Sequence, residues 1–406
     1  MSNDKQSKIR ANKQTQFATL SKVEGGSIVW SSLIILALVA LLVLVSGLYV
    51  KELARDDART PQLANQGSPS EPLYEWKLVT SWPKNFPGLG AAPENFARLV
   101  AAMSDGRLTI HVYGAGEIVP ALGVFDAVSS GSVEMGHTAS YYYKGIMPAA
   151  PLFTAIPFGM SASELNAWIH YGEGLELWRE LYAPFNIIPF AGGNTGMQMG
   201  GWFNKPIENV ADIRGLKMRI PGIAGEVFSR AGGTAVTIPG GELYTSMQTG
   251  VIDAVEWVGP YNDRSFGLHE VGDYYYYPGW HESSAMLEFE VNANAWASLP
   301  ADLQAIIETA ARAVNQDMLD EYNARNALSL EELKGQGINP QPFPDGVLIE
   351  LAKVANQYYV DLAESDEDFA RIYASYSKFM AQNYEWMKIS EKAIFDYRKL
   401  LEGLPQ

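Results

Sequence analysis

A run of 23 residues without a charge, Ile28–Val50, limits what the N-terminal part of this 406-residue chain can become. At ~1.5 Å of rise per residue, a helix of this length crosses the ~30 Å hydrocarbon core of a bilayer with some tilt. A buried helix of a soluble domain is the alternative, but a helix at a protein surface keeps a polar face, and this segment has none. The sequence therefore predicts one N-terminal transmembrane helix over residues 28–50.

The charges that flank this segment predict its orientation. Residues 1–27 carry five basic against two acidic residues, a net charge of +3, so the rest of the chain carries −19. Basic flanks tend to stay in the cytoplasm, which predicts a cytoplasmic leader over 1–27 and export of everything after Lys51. The apolar run exceeds the usual length in cleaved secretory signals, which favours an uncleaved signal anchor, with cleavage near residues 46–54 as the alternative.

The composition of the remaining chain separates a tether from a folded body. Residues 51–72 are polar and rich in Pro, Ser, Gln and Asn, which is typical of a flexible tether. The body over 73–406 contributes to a net charge of −16 for the whole chain, which argues against a nucleic-acid partner. Because the chain has no cysteine, disulfides, thiol nucleophiles, cysteine-ligated metals and a lipoprotein anchor are all excluded.

Short apolar strands alternate with periodic helices twice along the body, which predicts an α/β fold with two lobes. The first series is predicted to contain strands at 76–82, 108–113, 133–138 and 186–191 and helices at 93–103, 121–130 and 162–182. The second is predicted to contain strands at 216–220, 235–238 and 254–258 and helices at 225–231 and 242–249. Long helices are then expected at 300–334, 347–364 and 366–400.

Signatures of catalysis are missing from the sequence. It contains no Walker loop, nucleophile elbow, HExxH zinc motif or EF-hand loop. The five histidines occur singly, without the spacing of metal ligands, so each is interpreted as a surface or core residue: His111, His137, His170, His269 and His281. This absence favours a binding protein over an enzyme.

Three segments in the middle of the body carry a family resemblance. They are GMQMGGWFNKPIENVADIRGLKMRIPG, IPGGELYTSMQTGVIDAVEWVGPY and VGDYYYYPGWHE, within residues 196–282. The chain resembles the DctP-type solute receptors of tripartite ATP-independent periplasmic (TRAP) transporters, and within them the subgroup that binds 2-oxo acids. The resemblance extends less specifically over about 74–398.

This resemblance implies a two-lobed periplasmic-binding-protein fold with interlobe strands and long C-terminal helices. The first lobe is expected at about 73–193 plus part of 259–295, and the second at about 194–258 plus part of the C-terminal region. The tyrosine run 274–277 is interpreted as a strand between the lobes. The implied partners are a small organic acid and the membrane permease, and the implied location is the periplasm, with the predicted helix as a tether.

Arg219 is the first candidate for the binding site. Alternation along the strand LKMRI places Lys217 and Arg219 on the same face, and a guanidinium matches a carboxylate with two parallel hydrogen bonds. A surface arginine is the alternative. The conserved carboxylate-binding arginine of the family falls at this position, so the resemblance implies that Arg219 anchors the substrate.

A cation site is the second candidate. Glu256 stands in the apolar run AVEWVGP, where a buried carboxylate needs a cation or a donor. The resemblance implies that Glu256, the backbone carbonyl of Trp257 and the amide oxygen of Gln198 hold a metal ion shared with the substrate. Such oxygen ligands suit Na⁺ or Ca²⁺. The alternative is that Glu256 pairs with a basic neighbour and Gln198 is merely polar.

Further pocket residues are expected beside these groups. Tyr143 is the preferred hydroxyl donor from the first lobe, with Tyr141 or Tyr142 as alternatives. Trp202 is expected to form a wall of the pocket, because such sites are mostly apolar. Glu282 is a candidate for a hydrogen bond to the ligand.

The C-terminal segment predicts an unusual helix. Apolar residues recur at helical spacing over 366–400, about 50 Å of helix, and no proline or glycine interrupts them. One lobe is too small to cover such a stripe. We therefore expect this helix to span both lobes, and the resemblance further implies a homodimer that exchanges the terminal helix.

Two functional classes follow from these observations. The first is a non-catalytic receptor whose lobes close around an organic acid. The second is an exported, membrane-tethered enzyme that acts on a carboxylate. A sensor that signals through the anchor is a third, minor alternative, since residues 1–27 leave no room for a signalling domain.

Overall fold

Two β-sheets, each covered by helices, organise residues 73–401, the part of the chain that the computed structural model describes. The first sheet has the strand order β2-β1-β3-β10-β4. Its strands are β1 Tyr74–Thr80, β2 Leu108–Tyr113, β3 Met135–Thr138, β4 Ile187–Asn194 and β10 Met286–Asn292. The first three strands are parallel, and β10 runs antiparallel between β3 and β4.

The second sheet has six strands in the order β11-β9-β5-β8-β6-β7. They are β5 Gly201–Phe203, β6 Lys217–Arg219, β7 Thr234–Val236, β8 Ala254–Val255, β9 Tyr274–Tyr277 and β11 Gln341–Pro342. Strands β7, β6 and β8 are parallel, whereas β5 runs antiparallel to both β8 and β9. The two sheets confirm the predicted α/β fold with two lobes.

Twelve α-helices lie within the described residues. They are α1 Ala91–Met103, α2 Val124–Ser129, α3 Ala162–Tyr171, α4 Gly174–Tyr182, α5 Gly222–Arg230, α6 Leu243–Gln248, α7 Pro260–Ser265, α8 Ala293–Ser298, α9 Ala301–Gly335, α10 Asp345–Ser365, α11 Glu367–Ile389 and α12 Glu391–Leu401. Local chemistry sets several boundaries. The Ser161 hydroxyl and the Glu164 carboxylate form a reciprocal capping box at the start of α3, and Asp366 caps α11 through the Phe369 N–H.

Two predicted helices are each divided in the structure. The predicted helix 162–182 ends at Gly172, whose extended backbone separates α3 from α4. The predicted helix 366–400 breaks at Ser390, where the Oγ donates to the Trp386 carbonyl and the backbone leaves the helical region. The expectation of an unbroken terminal helix was therefore wrong.

The bridging role expected of the terminal helix is shared between two helices. Arg230 of α5, which covers the second sheet, pairs with Asp361 of α10. Helix α11 packs on the helices of the first sheet, where the Tyr376 hydroxyl accepts from the Met160 N–H and the Trp168 indole donates to Ser375. The α10–α11 pair thus contacts both halves of the body.

Two short segments carry the chain between the sheets. Residues 195–200 lead from β4 to β5, and residues 278–285 lead back from β9 to β10. Neither segment is a strand, so the expected interlobe strands are absent from these two connections. The tyrosine run 274–277 is instead an inner strand of the second sheet, paired with β5 and β11.

The predicted transmembrane helix 28–50 lies outside the described residues, as do the leader and the tether. Within residues 73–401, no helix is both long and apolar enough to cross a membrane.

Candidate functional site

Strand ends and sheet connections bring six side chains together. Arg219 is the last residue of β6, and its neighbour across the parallel ladder is Val255, so Glu256 follows directly at the same sheet edge. Gln198 comes from the connection 195–200, and Glu282 comes from the connection 278–285. We call Gln198, Arg219, Glu256, Trp257, His281 and Glu282 the central cluster. All six are buried.

The Arg219 guanidinium is held from several directions. Its Nη1 forms a short ion pair with the Glu256 carboxylate and donates to the Glu256 carbonyl oxygen at 3.2 Å. Its Nε donates to the Ile238 carbonyl oxygen at 3.1 Å, and its Cζ lies 4.9 Å from the centre of the Trp257 ring. The Nη2 contacts the Tyr142 hydroxyl at 3.4 Å. Arg219 is therefore fixed in place with its charge paired, rather than exposed as a surface arginine.

Acidic and amide groups lie on the other side of Glu256. The Gln198 Nε2 donates to Glu282 at 2.7 Å and to the Thr195 hydroxyl at 3.0 Å. One ligand atom each from Glu256, His281 and Glu282 lies within 4.8 Å of the others. Burial, reinforced by the charge of Glu256, raises the pKa of Glu282 well above its usual value, and Arg219 opposes this shift.

Unpartnered oxygens in the cluster fit a hard cation. Buried polar atoms are nearly always satisfied, yet Gln198 Oε1 and Glu256 Oε2 have no hydrogen-bond partner within the described residues. The Glu256 Oε2 lies 3.1 Å from His281 Nε2, without hydrogen-bond geometry. Because the Gln198 amide nitrogen is committed to Glu282 and Thr195, its oxygen is left as an acceptor. Carboxylate and amide oxygens are preferred ligands of Ca²⁺ and suit Na⁺.

The structure assembles most of the candidates that the sequence identified. Gln198, Arg219, Glu256, Trp257 and Glu282 all belong to the central cluster. The structure shows the alternative in which Glu256 pairs with a basic neighbour, and that neighbour is Arg219.

Tyr143 and Trp202 lie elsewhere. The Tyr143 hydroxyl donates to Thr138, and its ring packs on Phe125 in the first lobe. Trp202 stacks on Tyr275 and donates its indole N–H to Asp263, within the core of the second lobe. The Tyr143 hydroxyl and the Trp202 indole N–H are therefore each committed to a partner outside the central cluster.

One cluster member and one neighbour of the cluster are not first choices by sequence. Tyr142, weighed only as an alternative, contacts Arg219. His281 was interpreted as a surface or core residue, but it lies beside Glu256. The sequence signal for His281 was its position in the YYYYPGWHE segment next to Glu282, since no spacing rule connects it to Glu256.

A two-lobed α/β body, with buried charged groups where the sheet connections meet the strand ends, defines a protein that binds a small polar solute between its lobes. The chain belongs to DctP, the bacterial extracellular solute-binding protein family 7, whose model matches residues 78–366. Membership in this family supports the receptor interpretation over the enzyme alternative.

Several relatives have stated ligands. The chain is 43% identical over 320 residues to a monocarboxylate 2-oxoacid-binding periplasmic protein of Nostoc sp., covering 79% of this chain and 88% of the relative. A TRAP solute-binding protein of Pseudoalteromonas atlantica with bound sodium and pyruvate is 43% identical, with a TM-score of 0.78, covering 80% of this chain and 98% of that one.

A third relative combines a cation with a different acid. The TRAP solute-binding protein of Bordetella bronchiseptica is 39% identical, with a TM-score of 0.81, and covers 83% of this chain and 100% of its own. It is a mixed-occupancy dimer with calcium and picolinate in one active site.

Proposed function

We propose that this protein is the extracytoplasmic receptor of a TRAP-type transporter and binds a 2-oxo acid, with pyruvate favoured, together with Na⁺ or Ca²⁺. The observation that carries this proposal is the central cluster, in which a buried guanidinium adjoins two unpartnered acceptor oxygens. The relatives that hold sodium with pyruvate and calcium with picolinate support the choice of ligands.

The roles of the residues follow from their chemistry. Arg219 receives the substrate carboxylate, because its planar fork offers two parallel donors. Gln198 Oε1, Glu256 Oε2 and the Trp257 carbonyl hold the cation, which supplies a positive charge to the substrate oxygens. Glu282 orients the Gln198 amide through the 2.7 Å hydrogen bond, so that the amide oxygen remains available.

Binding without chemistry distinguishes this proposal from the enzyme alternative. Adding pyruvate and Ca²⁺ should raise the melting temperature and change the tryptophan fluorescence, since Trp257 lies against Arg219. The pyruvate recovered afterwards should be unchanged by mass. Consumption of pyruvate at a steady rate would contradict the receptor function.

Adjacent tyrosines allow a matched test of the first-lobe contribution. Tyr142→Phe should weaken pyruvate binding about tenfold, since a hydrogen bond to a charged group contributes ~1.5–3 kcal/mol. Tyr143→Phe removes a hydroxyl bonded to Thr138 and should leave the affinity within about twofold while lowering the melting temperature. Calorimetric titration with pyruvate measures the affinity of both variants. If Tyr143→Phe weakened binding and Tyr142→Phe did not, Tyr143 would be the ligand residue.

The proposal extends to location and partners. The lobe division follows the two sheets, with the first lobe at about 73–193 plus β10, and the second at about 194–258 plus β9 and part of the C-terminal region. Residues 28–50 anchor the receptor in the inner membrane, and 51–72 tether it near the permease. Recovery of full-length protein in the membrane fraction, released only by detergent, would support the anchor.

Exposed apolar residues on the C-terminal helices support a homodimer. Many large side chains of α11 and α12 are more than half exposed: Tyr384, Trp386, Ile389, Ile394, Phe395, Tyr397, Leu400 and Leu401. Contiguous apolar surface of this kind is typical of a protein interface. The dimeric relative from Bordetella bronchiseptica supports a second copy of this chain as the occupant.

Truncation after Ser390 tests the dimer. The buried part of α11, formed by Phe369, Ile372 and Tyr376, is left intact, so the fold should be retained. Light scattering should show a dimer for residues 73–406 and a monomer for residues 73–390, with similar melting temperatures. A monomer for the longer chain at micromolar concentration would contradict the dimer.

A further inference from the structure

The acid-binding side of Arg219 is already in contact with a carboxylate of the protein itself. The Nη1 bonds to both the side chain and the carbonyl oxygen of Glu256, and the Nε is used by Ile238. This leaves the Nη2, whose contact with the Tyr142 hydroxyl is long at 3.4 Å. A substrate carboxylate therefore cannot take both terminal nitrogens of Arg219 while Glu256 keeps its place.

Glu256 also belongs to a group of three buried side chains that could hold a metal ion. Its second oxygen lies 3.1 Å from His281 and within the group that includes Glu282. Both Arg219 and Glu256 are 1% exposed, so water does not screen the pair. Without a bound cation, a substrate anion that enters this site meets a carboxylate that competes for the same guanidinium.

We propose that Glu256 acts as a placeholder for the substrate carboxylate on Arg219, and that cation binding must come first because it draws Glu256 off the guanidinium. This inference rests on the proposed function and adds the order of binding. The cation and the acid then bind cooperatively, since one event removes the competitor of the other. Because Glu256 leaves Arg219 only when a cation binds, the site accepts the anion only together with a cation.

Three proteins measured in chelated, sodium-free buffer test the placeholder. The unmodified protein should show no detectable pyruvate binding by calorimetry. Glu256→Gln removes the competing charge, and Glu256→Asp keeps the charge but withdraws it by one methylene from Arg219. Both variants should bind pyruvate at least tenfold more tightly than the unmodified protein under these conditions, and circular dichroism should confirm that both are folded.

The aspartate variant separates contact from charge. If Glu256→Gln binds more tightly and Glu256→Asp remains as weak as the unmodified protein, repulsion alone explains the effect and the placeholder is wrong. If the unmodified protein does not bind pyruvate even with Ca²⁺, the proposed function itself fails. If the unmodified protein binds pyruvate with Ca²⁺ and both variants still bind it weakly in chelated buffer, only the placeholder is overturned.

The kinetics of calcium release give a second test without any substitution. Calcium-loaded protein is mixed with excess quin-2, a fluorescent chelator, at increasing pyruvate concentration. When the cation binds first, it can leave only after the acid, so saturating pyruvate should reduce the release rate toward zero. A release rate that levels off at a substantial value would show that the two ligands leave in either order, which would contradict the proposed sequence.

Discussion

Replacing Arg219 with lysine should weaken 2-oxo acid binding at least a hundredfold while the fold is retained. Arg219 is 1% exposed, and removing one partner of a buried charged pair, here the guanidinium that receives the substrate carboxylate, costs ~3–5 kcal/mol. Lysine keeps the charge but lacks the planar fork that binds a carboxylate through two parallel hydrogen bonds. Calorimetric titration with pyruvate in the presence of Ca²⁺ measures the loss.

Arg230→Lys is the matched control for this substitution. Arg230 pairs with Asp361 at the surface, outside the central cluster, and its side chain is 40% exposed. Exposed pairs contribute ~0–1 kcal/mol, so this variant should bind pyruvate normally. If Arg219→Lys also bound normally, Arg219 would be excluded from the site.

Alkaline pH should destabilise the first lobe through two buried glutamates. Glu288 and Glu290 of β10 are fully buried, and within residues 73–401 neither forms an ion pair with a basic side chain. Burial raises the pKa of Glu288 from 4.5 to about 8, even though Tyr182 donates to its carboxylate. Burial and the neighbouring Glu288 also raise the pKa of Glu290.

The sign of the pH effect follows from these shifts. The folded lobe holds protons that the unfolded chain releases above pH 4.5, so their contribution to stability is full below pH 4.5, falls as the pH rises and levels off above about 8. The loss attributable to Glu288 is on the order of 5 kcal/mol. Glu288→Gln removes one titrating group and should raise the melting temperature at pH 9 by several degrees.

Melting temperatures measured between pH 5 and pH 9 check this prediction. The exposed Glu331→Gln variant removes the same charge from the surface and should follow the unmodified protein throughout. A Glu288→Gln variant that melts lower than the unmodified protein at pH 9 would show that the carboxylate is ionised and satisfied in the folded lobe.

The sequence predicted the elements where local pattern decides structure. Strand β2 was predicted with its exact bounds, because Leu108, Ile110 and Val112 alternate with less buried residues. The division at Gly172 and the break at Ser390 were missed, since each depends on how a few backbone groups bond locally. A serine is compatible with a helix by sequence, and only the backbone of Ser390, at φ −108° and ψ −99°, shows the interruption.

The site residues that lie next to strand ends were predictable from the sequence, and those on the connections were harder to predict. Arg219 ends strand β6, and Glu256 directly follows the neighbouring parallel strand β8. Their proximity therefore follows from the βα pattern. His281 reaches Glu256 only through a connection between sheets, which no local pattern reveals. Tyr142 and Tyr143 are adjacent and point to different surroundings, and the direction of each is set by the turn that carries them.

The most direct test of the account is calorimetric titration of pyruvate into the protein with and without a cation. In buffer that contains Ca²⁺ or Na⁺, we expect a saturable heat of binding to one site per chain. In chelated, sodium-free buffer, the heat should disappear and return when either cation is restored. Binding of pyruvate at full strength without a cation would contradict the account of a site shared by Arg219 and a bridging ion.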